Sequence, residues 1–199
     1  MRKQDGEVYD EPASGIRGTA HQWRTFLVPG TYDPITRGHL DIIYRSSRMC
    51  DEVIVAVAES PEKHGGPAFS LQQRVALARE AVSGIGNVSV VPYSGLTVAF
   101  ARDHHVSAIV KGLRAVTDFE YELQQANLNY QLAPDINAVF VMADPNLSYV
   151  SSSAVRELAS YGADVSALVT PNVERALRAL YGPRVWPSPD PGRTTGGVG

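Results

Sequence analysis

The chain has 199 residues, 44% hydrophobic and 20% charged, with a net charge of −3 and a pI near 5.9. That length supports one substantial core rather than two comfortable domains, and the weakly acidic balance gives no global field toward nucleic acid or an anionic membrane. One cysteine, Cys50, excludes an intrachain disulfide and a cysteine metal cluster; no apolar run approaches the ~20 residues of a membrane span, and no signal core opens the chain, so a reducing, cytoplasmic setting is expected.

Residues 1–22 are polar, of mixed charge and without periodicity, and are expected to be a disordered extension or an expression-vector remnant. Strand-like apolar runs then follow at 25–28, 53–58, 88–91, 108–111 and 138–142. Several are near-continuous, as in parallel strands covered on both faces. Helical patterns separate them at 40–49, 70–82, 97–104 and 118–131, and two more follow at 152–160 and 172–180. Ser70 and Gln73 read as a capping box. Residues 187–199 are rich in Pro, Gly and Thr and are expected to form a disordered tail, leaving 23–186 as the folded domain. The alternation predicts an α/β fold: a single doubly wound, parallel, five-stranded sheet with C-terminal helices. In such a sheet ligands sit beyond the carboxyl ends of the strands.

Four blocks fall at those ends. The first is Pro29-Gly30-Thr31-Tyr32-Asp33-Pro34-Ile35-Thr36-Arg37-Gly38-His39. Gly30 would bring backbone close to a ligand, and Gly38 and His39 would open a helix whose N-terminus suits phosphate. A lone histidine usually has a structural role, but T-x-G-H after a strand points to a ligand. The second block, 59–67, carries Lys63 on a Pro- and Gly-marked loop from which it could reach a phosphate; a solvated lysine is the bland reading. The third, Lys111-Gly112-Leu113-Arg114, sets two cations around a glycine. Asp118, Glu120 and Glu122 follow, and the last two, two residues apart, do not share a helix face. The fourth, Ser148-Tyr149-Val150-Ser151-Ser152-Ser153, puts consecutive hydroxyls at a helix start, more than one cap requires.

A P-loop, a dinucleotide fingerprint, a metal cluster around His104-His105 and an elbow-borne serine nucleophile are all missing from the pattern. The chemistry therefore looks like positioning and charge stabilisation.

In this order the blocks resemble the nucleotidyltransferase superfamily with T/H-x-G-H and S-S-[ST]-x-x-[RK] motifs, Arg156 standing at the last basic position. More narrowly, PGTYDPITRGHLDII, the Lys63 loop with Phe69-Ser70-x-x-x-Arg74, KGLRAVTDFEYELQQANLN and SYVSSSAVRELASYGADVS are similar to bacterial phosphopantetheine adenylyltransferases over about 26–180. The resemblance implies a Rossmann-like nucleotidyltransferase fold, transfer of AMP from ATP to 4′-phosphopantetheine, Mg²⁺ as cofactor and a homohexamer. It implies catalytic roles for His39, Lys63 and Arg114, with His39 stabilising the transition state. It implies ATP contacts from Thr31, Tyr32, His39, Gly112, Leu113, Arg114, Glu122, Leu147, Ser148, Tyr149, Val150, Ser151, Ser152 and Ser153. Thr31, Lys63, Thr97 and Lys111 would contact the pantetheine substrate. Many members carry Arg at the position of Lys111; lysine keeps the charge and loses the bidentate fork. A nicotinate-mononucleotide adenylyltransferase would share the T-x-G-H turn without the GLRA…DFEYE block, and a catalytically silent nucleotide-binding regulator stays open as the non-enzymatic reading.

Overall fold

The computed structural model describes residues 23–59 and 66–182. The expected extension 1–22, Lys63 and the tail 187–199 lie outside them. Among the described residues eleven elements follow in order, strands and helices alternating until two helices close the series: β1 (Thr25–Gly30), α1 (Arg37–Ser47), β2 (Glu52–Ala58), α2 (Leu71–Val82), β3 (Val88–Tyr93), α3 (Thr97–Asp103), β4 (Ala108–Leu113), α4 (Val116–Leu132), β5 (Asn137–Met142), α5 (Ser152–Ser160) and α6 (Pro171–Tyr181). The sheet is parallel throughout, in the order β3-β2-β1-β4-β5. This is the doubly wound α/β sheet with C-terminal helices that the sequence predicts.

Alternation along the buried strands divides the core in two. Phe26, Val28, Val53, Val55, Val57 and Val110 face α1, α2, α5 and α6. Leu27, Ile54, Ala56 and Ile109 face the opposite way, toward Val98 and Ala101 of α3 and toward Ala133 and Ile136 just after α4. Continuous Val/Ile runs are what a strand needs when both its faces are covered.

The sheet's order reverses between β1 and β4. β1 pairs with β2 over six residues, from Thr25↔Glu52 to Gly30↔Val57. With β4 it pairs over two, Phe26↔Ala108 and Leu27↔Ile109. Beyond Leu27 the strands part, so the fold opens a gap at its topological switch point, the position where α/β sheets take ligands.

α1 begins at Arg37, three residues before the predicted start, because Thr36 and His39 cap it. The Thr36 side chain accepts from the His39 amide, while the His39 ring accepts from the Thr36 amide at 3.0 Å. A capping box normally uses Glu or Gln at that third position; an imidazole here performs the same task. The Ser70–Gln73 box at α2 forms as predicted.

Candidate active site

The gap between β1 and β4 is a cleft of about 250 Å³. Val28, Pro29 and Gly30 line one side, Val110, Lys111 and Gly112 the other, and His39, Arg114, Glu122, Ser151 and Ser152 close it. Glycines let its walls meet. A Cβ on Gly112 would stand 2.9 Å from Ile42 Cγ1, and one on Gly38 would stand 3.2 Å from the Val150 carbonyl oxygen. Gly30 makes room for a protein ring rather than solely for a ligand, since its Cβ would come within 3.0 Å of the Tyr32 ring.

Tyr32 lines the cleft from within the core. It is buried, with φ 50°, and its hydroxyl donates to the Val28 carbonyl at 2.8 Å. Burial holds its phenol well above the ordinary tyrosine range, so it stays neutral. Its ring meets that of His39 edge-on at 5.1 Å.

His39 keeps part of its surface open to the cleft. Desolvation, and after it the charge of Arg114, pushes its pKa down to about 4. The ring is therefore neutral near pH 7. Because Nδ1 accepts the Thr36 N–H, the remaining proton belongs on Nε2. His39 offers the cleft one neutral N–H donor, held in direction by the capping box.

The two cations of the third block face carboxylates of α4. Lys111 Nζ lies 2.9 Å from Glu122 Oε2, a contact of charge with charge rather than a directed hydrogen bond. The Arg114 side chain donates to Asp118 through Nε at 3.0 Å and Nη2 at 3.3 Å, and the Arg114 amide joins them at 3.1 Å. Burial raises the Asp118 carboxyl, but the Arg114 hydrogen bonds outweigh it and hold the carboxyl below its usual range. Asp118 and Glu122 stand four residues apart and share a face. The sequence comparison of Glu120 with Glu122 overlooked that pair, whose i,i+4 spacing was the available signal. Glu120 is exposed.

The serine block is divided among tasks. Ser151 caps α5 by accepting from the Ala154 amide at 3.1 Å, and Ser153 Oγ lies 3.1 Å from Ser151 Oγ. Ser152 donates to the Pro34 carbonyl at 2.8 Å, tying α5 to the first turn. Ser148 bonds the Pro145 carbonyl, Val150 is buried, and Tyr149 is exposed. Leu147 presents its carbonyl 3.4 Å from where a Gly38 Cβ would be.

The cleft thus gathers Tyr32, His39, Lys111, Gly112, Arg114, Glu122, Val150, Ser151 and Ser152. Thr31, Leu113, Thr97, Leu147, Ser148, Tyr149 and Ser153 do not line it. Thr31 is exposed just past β1, and Thr97 opens α3 with its hydroxyl 3.2 Å from that of Tyr93.

Three charged residues behind the cleft are assigned no role by the sequence, although Arg74 and Arg156 stand in the motifs that carry the resemblance. The buried Asp33 carboxylate accepts from the amides of Ala68 at 2.8 Å and Phe69 at 2.9 Å. Arg156 approaches it at 3.3 Å and also donates to the Asp33 carbonyl. Arg74, 1% exposed, turns its guanidinium onto backbone carbonyls. Nothing local in the sequence signals these pairings, because the partners lie up to 123 residues apart.

Residues 27–158 match the family model described as cytidylyltransferase-like. A phosphopantetheine adenylyltransferase of Thioalkalivibrio sulfidiphilus is 51% identical over 156 residues, covering 78% of this chain and 97% of that protein. A solved structure from Vibrio parahaemolyticus, provisionally assigned as a nicotinate-nucleotide adenylyltransferase, superposes with a TM-score of 0.61 at 17% identity. It covers 80% of this chain and 96% of that one, a likeness of fold alone. The chain belongs to the cytidylyltransferase-like family and, within it, to the phosphopantetheine adenylyltransferases.

Proposed function

We propose that this chain transfers the adenylyl group of ATP to 4′-phosphopantetheine, giving dephospho-coenzyme A and pyrophosphate, with the β1–β4 cleft as the site. The 51% identity across nearly the whole of a phosphopantetheine adenylyltransferase carries the reading, and the convergence of His39, Lys111 and Arg114 on one cleft supports it.

An oxygen of the acceptor phosphate attacks the α-phosphorus of ATP, and the bond from that phosphorus to the bridging oxygen of pyrophosphate breaks. The acceptor phosphate is already ionised near pH 7, so no general base is needed. Two polyanions must be held together and their charge answered, which makes the task one of position and electrostatics. His39 Nε2–H donates to a non-bridging oxygen of the transferring phosphoryl group. It does so as a neutral donor of fixed direction, with no reorganisation during the step. Arg114 answers charge on the nucleotide phosphates and Lys111 that of the acceptor. Each exchanges its α4 carboxylate, Asp118 or Glu122, for a phosphate as the substrates bind. Lys63 is assigned the same service to the acceptor on its sequence position.

Among the described residues no group of three or more His, Cys, Asp or Glu is gathered to hold a metal, and the α4 carboxylates Glu122 and Asp118 face cations. Those residues fit Mg²⁺ held by the nucleotide phosphates and water rather than by a protein cage; bound so, it would neutralise phosphate charge. The homohexamer is part of the proposal, supported by apolar side chains left exposed on α4 and β5, among them Leu128, Tyr130 and Met142. So is a cytoplasmic setting, where ATP is at hand; among the described residues no helix is long and apolar enough to cross a membrane.

Pyrophosphate release by the purified protein with ATP, Mg²⁺ and each acceptor tests the reading. Release with phosphopantetheine is expected. Release with nicotinate mononucleotide alone overturns it, and none with any acceptor favours a silent nucleotide-binding regulator.

A further inference from the structure

We propose that Arg74 is a positioning residue of this reaction: from behind the cleft, its buried guanidinium sets the backbone of the first turn against the end of β2 and the start of α2. Its hydrogen-bond partners, Thr31, Ala58 and Phe69, are not among the residues that line the cleft, and the proposal rests on the reading of the site given above.

Arg74 lies on the first turn of α2 and is 1% exposed. Burying a cation is costly unless its donors are answered, and here Nη1 and Nε are answered by carbonyl oxygens of three separate segments. Nη1 donates to Thr31, just past β1, at 2.6 Å and to Ala58, the last residue of β2, at 2.8 Å. Nε donates to Phe69, next to the α2 cap, at 3.1 Å. One planar group therefore fixes the spacing between two strand ends and a helix start. A guanidinium can do this because its donors radiate in a rigid fork.

The arrangement is reinforced at Phe69. Its carbonyl is held by Arg74 and its amide, at 2.9 Å, by the Asp33 carboxylate. Asp33 belongs to the same turn as Thr31 and is joined to Arg156 of α5. The first turn is thus gripped from α2 on one side and α5 on the other. A misplacement of reacting groups of about 1 Å can cost 10²-fold in rate, so the backbone that carries Thr31 and leads to His39 is a place where such a device matters. An apolar residue at position 74 would lose the three-way tie and leave the carbonyls of Thr31, Ala58 and Phe69 without this donor.

Three variants test this: Arg74→Lys, which keeps a charge and loses the fork; Arg74→Met, which keeps the apolar stem; and Arg74→Ala, which leaves room for added guanidinium. Each is assayed about 10 °C below its own unfolding midpoint, with folding checked by near-ultraviolet circular dichroism. The expected result is a kcat at least 10-fold below wild type in folded Arg74→Lys, a larger fall in Arg74→Met, and a saturable rise in Arg74→Ala kcat with millimolar guanidinium. Hydrogen exchange in the peptide spanning 66–70 is expected to quicken in Arg74→Lys, with the β3 peptide unchanged. Folded Arg74→Lys with wild-type kcat and unchanged exchange at 66–70 overturns the proposal, as does activity that follows the folded fraction alone. Should wild type use another acceptor, the functional reading falls, while the Arg74 variants are scored with that acceptor and by exchange.

Discussion

On the β1–α1 side of the cleft, side chains are answered by backbone. The His39 ring takes the Thr36 amide, the Tyr32 hydroxyl gives to Val28, and Asp33 and Arg74 grip the amide and carbonyl of Phe69. On the β4–α4 side, cations are answered mainly by side chains: Lys111 by Glu122 and Arg114 by Asp118, on a helix that leaves Tyr121, Leu128 and Tyr130 exposed. Bonds to a buried backbone have no easy substitute, whereas a carboxylate can be exchanged for a phosphate. One wall is fixed in advance, and on the proposed function the other trades its carboxylate partners for a polyanion.

If that contrast holds, the largest losses come from the fixed wall. Asp33→Ala strips the acceptor from two amides and leaves Arg156 without its carboxylate. Each buried or half-buried donor left without its acceptor costs about 1–3 kcal/mol, which urea denaturation would register as a lowered midpoint at unchanged slope. His39→Ala removes a preorganised donor and is expected to lower kcat by about 10²–10³-fold, measured as steady-state pyrophosphate release. A normal kcat with a raised KM would reduce His39 to a binding residue.

Gly112→Ala probes the seam between the walls. Its Cβ would meet Ile42 at 2.9 Å, and overpacking of this kind costs about 1–3 kcal/mol, visible as a fall in Tm. Titration offers a test of similar size. The His39 pKa is depressed to about 4 in the folded protein against about 6.5 unfolded. Between those values the unfolded chain binds a proton that the folded one does not, so stability is complete above pH 6.5 and is lost as pH falls toward 4. The slope of denaturation free energy against pH in that window should be smaller in His39→Gln. The smallest effect is expected on the adjustable wall. Asp118→Asn breaks a pair whose members are 43% and 26% exposed, and such pairs contribute about 0–1 kcal/mol. Its Tm should hardly move, while calorimetry should show tighter binding of pyrophosphate once Arg114 no longer has a competing carboxylate. A large fall in Tm would erase the distinction between the walls.

The sheet was legible because both faces of each central strand are covered, and Val53 to Val57 can only read as buried. The α2 start was legible because Ser70 and Gln73 are the usual pair for a cap. At α1 the same device escaped notice, since histidine at the third position reads as a ligand before it reads as a cap. It is placed to be both: one ring nitrogen serves the helix and the other is left for the cleft. Tyr32 lines the cleft while giving its hydroxyl to Val28, and nothing local in the sequence distinguishes a tyrosine turned inward from one turned outward. Arg74 and Asp33 depend on segments brought together by the crossovers, which periodicity does not encode.

The early end of the β1–β4 ladder carries a further consequence. A sheet gains from every rung it closes, and continuing the register of Leu27↔Ile109 would bring Val28–Gly30 alongside Val110–Gly112. The molecule forgoes those rungs, and its cleft is the unzipped length. Any substitution that let the two strands close up would be expected to make a sturdier sheet and an emptier catalyst, so screens for thermal stability alone would select against the site.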